Sequence, residues 1–143
     1  MTGNFLASSS TTINASAGRV WSVLTDPEAI KEFMFGTEVA TDWIVGRPIT
    51  WRGNWKGKDY EDKGIILEFE PGKRMVHTHY SPLSGQDDVP ENYHTLAWTL
   101  EPDGGNTKLT LTQDNNASAE EAAHSKGMWD SLLGSVKEIA ERG

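Results

Sequence analysis

The sequence predicts an α+β fold: an antiparallel meander whose apolar face is covered by one long C-terminal helix, with two short helices after the first strand. Three observations lead to it. From Ser118 to Glu141 the residues Ala122, Met128, Trp129, Leu132, Leu133, Val136, Ile139 and Ala140 recur at spacings of three, four and seven, so they share one helical face. From Val39 onward the pattern turns to short strand-like runs separated by turn residues, which pairs neighbours antiparallel. Between the first strand-like segment and that region, capping residues mark two short helices. A curved sheet with one apolar face needs a cover, and a single long helix covers it imperfectly. The gap between them is the expected functional site.

Residues 4–13 are β-prone at both ends and form the first strand. Ser16 or Ala15 caps a short helix through Thr25, whose apolar face is Val20, Trp21, Val23 and Leu24. Asp26-Pro27-Glu28 opens a second helix: Asp caps it, Pro takes the first helical position, and Glu28 faces the positive end of the dipole. That helix runs to about Phe35 and stops at Gly36. Strands follow over 38–43, 48–55, 60–70, 74–80, 93–101 and 107–114. Turns fall at Gly46-Arg47, Lys56-Gly57-Lys58-Asp59, Pro71-Gly72 and Asp103-Gly104-Gly105-Asn106. The first strand, remote in sequence, can pair with the last strand at an edge. Ser81–Asn92 is the longest loop and the expected mobile rim. Ser118, with Glu121 three residues on, starts the last helix as a capping box, and Gly143 can stop it.

A chain of 143 residues is expected to form a single domain, 1–143, large enough to bury a core without metal or disulfide staples. The absence of Cys removes disulfides, thiolate metal sites and thiol nucleophiles, and fits a reducing cytoplasm. No signal peptide is read, because the first basic residue is Arg19 and the Phe5–Ala7 patch is short. No apolar run is long enough for a membrane span. With 21 acidic and 13 basic residues the net charge is −8. Such a surface repels phosphate backbones and anionic lipid, so neither nucleic acid nor a membrane is expected as a partner. The six Trp residues are more telling: each joins a large apolar area to one N–H that needs a partner, which suits pockets as well as cores.

Ile13-Asn14-Ala15 leading into Val20-Trp21, then Thr25-Asp26-Pro27-Glu28-Ala29-Ile30, resembles the N-terminal signature of the START-like (SRPBCC) superfamily. More narrowly, it is similar to the branch named after the activator of the heat-shock-protein-90 ATPase. Val45-Gly46-Arg47, Gly64 with Glu68-Phe69-Glu70-Pro71, Lys73-Arg74-Met75 and Thr107-Lys108-Leu109-Thr110-Leu111 continue the likeness, and Trp129 with Leu132, Leu133 and Val136 completes it. It runs across nearly the whole chain in the expected order. The resemblance implies a helix-grip fold, with a curved antiparallel sheet wrapped around the long C-terminal helix and a cavity between them. It also implies binding of hydrophobic or aromatic small molecules, cyclase or hydrolase activity in some members, and chaperone contact in the name-giving branch. Ser16-Ala17 replaces the proline common at the start of the first helix, and Asn106 interrupts the usual Gly-Thr. Chaperone-activating members carry a further domain that these residues do not contain.

Strand parity gives the inner face independently. Leu109 and Leu111 bring Gln113 inward, and Leu96, Trp98 and Leu100 carry His94 with them. Ile49, Trp51 and Trp55 share a face, which turns Arg52 away. The run Ile65-Ile66-Leu67 leaves 60–70 without an assigned parity. Strand 74–80 has two plausible faces, and the family pattern puts Met75 inward, which takes His77 and His79 with it. His79 then sits opposite His94, with Cβ atoms about 4.5–5.5 Å apart.

His-x-His on one strand with a third His beside it matches the donor set of a three-histidine zinc site. A ligating His usually has a carboxylate behind it, and no helpful spacing supplies one, so a polar pocket floor is the favoured reading and no metal or other cofactor is assigned. Glu61, Asp62, Glu68 and Glu70 read as a solvated outer face, His124 and Trp43 as exposed, and Trp21 as structural. No Gly-x-Ser-x-Gly elbow or phosphate loop occurs and no catalytic residue is assigned. The leading expectation is a small hydrophobic or aromatic ligand held by Trp51, Trp55, His77, His79, His94, Trp98, Gln113, Met128, Trp129 and Leu132. An enzyme using His79 or His94 as general base and a chaperone-interacting module are the alternatives.

Overall fold

In the computed structural model, which describes residues 5–55, 57–82 and 85–142, seven strands form one antiparallel sheet. The elements run β1 (Phe5–Ile13), α1 (Ala17–Leu24), α2 (Pro27–Phe33), β2 (Glu38–Thr41), β3 (Pro48–Trp55), β4 (Lys58–Glu70), β5 (Arg74–His79), β6 (His94–Asp103), β7 (Asn106–Asn116) and α3 (Ala119–Arg142). Spatial order is β1-β7-β6-β5-β4-β3-β2, so the first strand pairs with the last at one edge. The long α3 lies against this sheet beside α1 and α2. This is the helix-grip arrangement.

The caps explain where the helices start. Ser16 accepts a hydrogen bond from Arg19 N at 3.2 Å, and Asp26 accepts from Glu28 N at 3.1 Å with Pro27 in the first turn. At α3, Ser118 Oγ accepts from Glu121 N at 3.0 Å while the Glu121 carboxylate accepts from Ala117 N at 2.7 Å. The far end of α3 is tied down by Arg19, which donates to Ile139 O and Ala140 O at 3.1 and 3.2 Å and satisfies carbonyls a helix leaves open. Helix α2 ends at Phe33, earlier than expected, because Phe35 and Gly36 take φ of 57° and 97°, which no helix accommodates.

Burial follows the periodicities. Leu96, Trp98 and Leu100 on β6, Leu109 and Leu111 on β7, and Met75 on β5 form the sheet side of the core. Val20, Val23 and Leu24 of α1, Ile30 and Phe33 of α2, and Leu132, Leu133, Val136 and Ile139 of α3 form the helix side. Each fully buried side chain of this size contributes about 1.5–3 kcal/mol. Ile49, Trp51 and Ile66 make a smaller cluster at the β3–β4 end. Met128 departs from the expected stripe: it is 52% exposed, while its neighbour Trp129 is the residue turned against the core.

Two backbone features shape β4. The register with β5 slips by one residue between Ile66 and Glu68, which resolves the ambiguous run: Ile66 is buried, and Ile65 and Leu67 face out. At Gly64 the backbone passes so close to β5 that a Cβ would stand 1.8 Å from Thr78 O.

Candidate functional site

The interior is largely filled by its own side chains. A cleft of about 20 Å³ remains, enclosed by Leu24, Ile30, Phe33 and Met34 on the helix side and by Ile49, Trp51, Met75, His77 and Trp98 on the sheet side. Val39 and Trp43 close its flank. A space of that size holds about one water molecule. It lies beneath α1 and α2, and no residue of α3 lines it. Leu132 is instead buried core. Two wider depressions, of about 590 and 480 Å³, meet at Tyr60 but are open to solvent and rimmed by charged groups such as Arg52, Glu61 and Lys63.

Among the described residues His77 is the one titratable side chain of the cleft, and its ring is fully committed. Trp98 Nε1–H donates to His77 Nε2 at 3.0 Å, so Nδ1 carries the proton and donates to Thr78 O at 3.0 Å. Trp51 lies 5.1 Å from the same ring. Burial drives its pKa down from 6.5 to about 4; the Thr78 carbonyl opposes the change and nearby His79 adds to it. His77 is therefore a neutral imidazole at pH 7.

Two residues along, His79 donates from Nε2 to Asp62 Oδ2 at 2.9 Å. Asp62 reaches the inner face because it pairs with Trp51 across the β3–β4 hairpin. Its side chain is 16% exposed and that of His79 23%, so Asp62 does not belong to the solvated acidic face on which the sequence reading placed it. Asp62 is the carboxylate that sequence spacing does not supply to these histidines. The hairpin would have revealed it: pairing Trp55 with Lys58 puts Asp62 opposite Trp51. Beyond the one hydrogen bond, Asp62 Oδ1 and His79 Nδ1 are buried with no partner among the described residues. A buried acceptor left without a donor costs about 1–3 kcal/mol.

His94 sits opposite His79 as parity requires, but its Nδ1–H is given to Asp114 O at 2.8 Å. The three imidazoles thus serve Trp98 and Thr78, Asp62, and Asp114 respectively rather than one shared point. Among the described residues no group of three or more His, Asp or Glu is placed to hold a metal ion. Gln113 faces inward beside Leu96 and accepts from Trp129 Nε1 at 3.4 Å. The side chain of Trp55 lies outside the described residues.

Trp43, expected at the surface, is half-buried. It packs near Phe69 at 6.1 Å between ring centroids and lines the cleft. It holds a left-handed backbone, φ 57°, as does Phe35, next in sequence to the cleft residue Met34. Phe35, Ile44 and Val45, close in sequence to the cleft residues Met34 and Trp43, are exposed. Non-glycine residues at positive φ carry local strain. Trp21 is structural as read, with its ring edge against Phe69 at 5.2 Å.

This combination of curved sheet, two short helices and gripped terminal helix defines a protein of the START-like superfamily. The family model described as "Activator of Hsp90 ATPase homolog 1-like protein" matches residues 14–141, and the chain belongs to that family. Among solved structures it is similar to ChR145 from Cytophaga hutchinsonii, at 44% identity and a TM-score of 0.86, covering 99% of this chain and 97% of that one. Protein MLL2253 from Mesorhizobium loti shares the fold at 18% identity and a TM-score of 0.78, covering 96% and 98%. The Aha1 dimer from Colwellia psychrerythraea does so at 19% identity and a TM-score of 0.74, covering 96% of each chain. No curated protein matches the chain. Among the described residues no helix is long and apolar enough to cross a membrane.

Proposed function

We propose that this protein binds a small hydrophobic or aromatic molecule between its sheet and its helices. The observation that carries the reading is the cleft itself: indole and aliphatic walls around one fixed, neutral imidazole. Ligand sites are mostly apolar with a few placed polar groups, and the START-like membership supports the same use of the interior. Small-molecule pockets have volumes of about 300–1,000 Å³, so a guest enters only if the rim moves. Trp43, a cleft residue held at positive φ, is where the rim gives way. Trp51, His77 and Trp98 form the floor of this site, joined by Met34, Trp43 and Met75. His79, His94, Gln113 and Trp129 lie further along the same inner face.

The test is a titration with N-phenyl-1-naphthylamine, following energy transfer from tryptophan. Saturable one-to-one binding is expected, weakened about tenfold by Trp51→Ala in a variant whose circular dichroism is unchanged; tenfold corresponds to about 1.4 kcal/mol. Trp129→Ala is expected to spare it. Failure of this probe and of a panel of fatty acids and polycyclic aromatics to saturate any site would overturn the reading.

A further inference from the structure

We infer that Asp62 and His79 form a polar anchor that takes a hydrogen-bond donor, a hydroxyl or amine, carried on an aromatic ligand whose body lies against Trp51. This rests on the binding reading above and names the chemistry of the ligand's head group.

An ionised carboxylate only accepts, so the hydrogen at the 2.9 Å contact belongs to His79 Nε2. In the neutral ring this leaves Nδ1 with a free lone pair. Asp62 Oδ1 is likewise an acceptor, and among the described residues neither atom has a partner. The pair therefore offers two acceptors and no donor. Buried polar atoms in folded proteins are nearly always satisfied, by protein groups or by ordered water, so a ligand O–H or N–H group can take the place of water there.

Nearby cations are committed elsewhere: Arg52 to Glu61 and Lys63 to Asp88. His94, opposite His79, gives its Nδ1–H to Asp114 O. Trp51 supplies the connection to the cleft. Its indole stands 5.1 Å from His77, on the cleft, and 5.2 Å from His79, at an interplanar angle of 61°. One ring thus forms the wall between the apolar cleft and the anchor. A guest that shifts Trp51 meets the unpaired acceptors directly behind it.

The experiment compares p-cresol with toluene, which have similar bodies and differ in the hydroxyl. Binding is followed by NMR through the indole N–H of Trp98, and the His79 ring through its nitrogen resonances. Wild-type protein is expected to bind p-cresol about tenfold tighter than toluene, as a hydrogen bond to a desolvated acceptor supplies. His79 Nδ1 should move upfield as the site fills. His79→Phe should cut the preference for p-cresol over toluene. Equal affinities in the wild type, or an Nδ1 resonance that stays fixed at p-cresol saturation, would overturn the anchor while the binding reading stands. Binding of neither probe would remove both. The wild-type Nδ1 measurement decides the matter even if the variant fails to fold.

Discussion

His77 gives the most quantitative handle on the interior. Replacing it with Gln removes the titratable ring while keeping an acceptor for the Trp98 N–H. In the native protein His77 stays neutral down to a pH of about 4, while in the unfolded chain it titrates near 6.5. Between those values the unfolded state binds a proton that the native state refuses, so acid favours unfolding. The stability at stake is fully present above 6.5 and is lost as pH falls toward 4. At about 1.4 kcal/mol per pH unit the whole interval is worth about 3 kcal/mol, of which about 2 kcal/mol is gone by pH 5. That is a sizeable share of the roughly 5–15 kcal/mol that holds a domain together. Urea unfolding of wild type and His77→Gln at about pH 7 and about pH 5 measures it, and the wild type should lose about 2 kcal/mol more than the variant. Ion pairs and hydrogen bonds hold the exposed carboxyls of Glu32, Asp88, Asp130 and Glu141 below their usual range. These also favour unfolding in acid, but equally in both proteins, so the difference isolates His77. An identical acid loss in the two proteins would refute the buried, neutral imidazole.

Other expectations follow from single contacts. Gly64→Ala forces a Cβ to within 1.8 Å of Thr78 O and should cost about 3 kcal/mol or more in urea unfolding. Gly134→Ala, on an exposed face of α3 with nothing within 4 Å, should instead stabilise by about 0.5–1 kcal/mol, read as a raised melting temperature. Asn116 is fully buried, donates to Phe5 O and Gln113 O at 3.1 Å each, and accepts from Ser125 Oγ at 3.2 Å. Asn116→Ala should cost about 1–3 kcal/mol and speed amide exchange along β1 before the rest of the sheet.

Local rules read most of the fold from the sequence. Caps at Ser16, Asp26 and Ser118 start the helices where residue chemistry requires. Alternation on β6 and β7 puts Leu96, Trp98, Leu109 and Leu111 inside, and the antiparallel turns bring His79 opposite His94. What escaped depends on pairing or space. Asp62 looks like one more surface acid until the hairpin register sets it beside Trp51. Met128 and Trp129 are adjacent on α3 and both apolar, so periodicity admits both to the stripe, and only packing turns Met128 out. Trp43 lies beyond the end of β2, where alternation no longer applies and a left-handed backbone turns the chain. The cleft's position beneath α2 depends on how completely side chains fill three dimensions, which no one-dimensional pattern encodes.

The extra residue in β4 has a consequence for how this strand can vary. Asp62 and Phe69 are an odd number of positions apart, so in a regular strand one would look inward and the other outward. The slip between Ile66 and Glu68 changes the phase once, and both look inward. A strand shortened by one residue at Leu67 would keep nearly the same composition yet expel either the carboxylate or the phenyl ring. Length here is thus as strictly constrained as residue identity, and a single-codon loss at this point would separate the polar half of the inner surface from its greasy half.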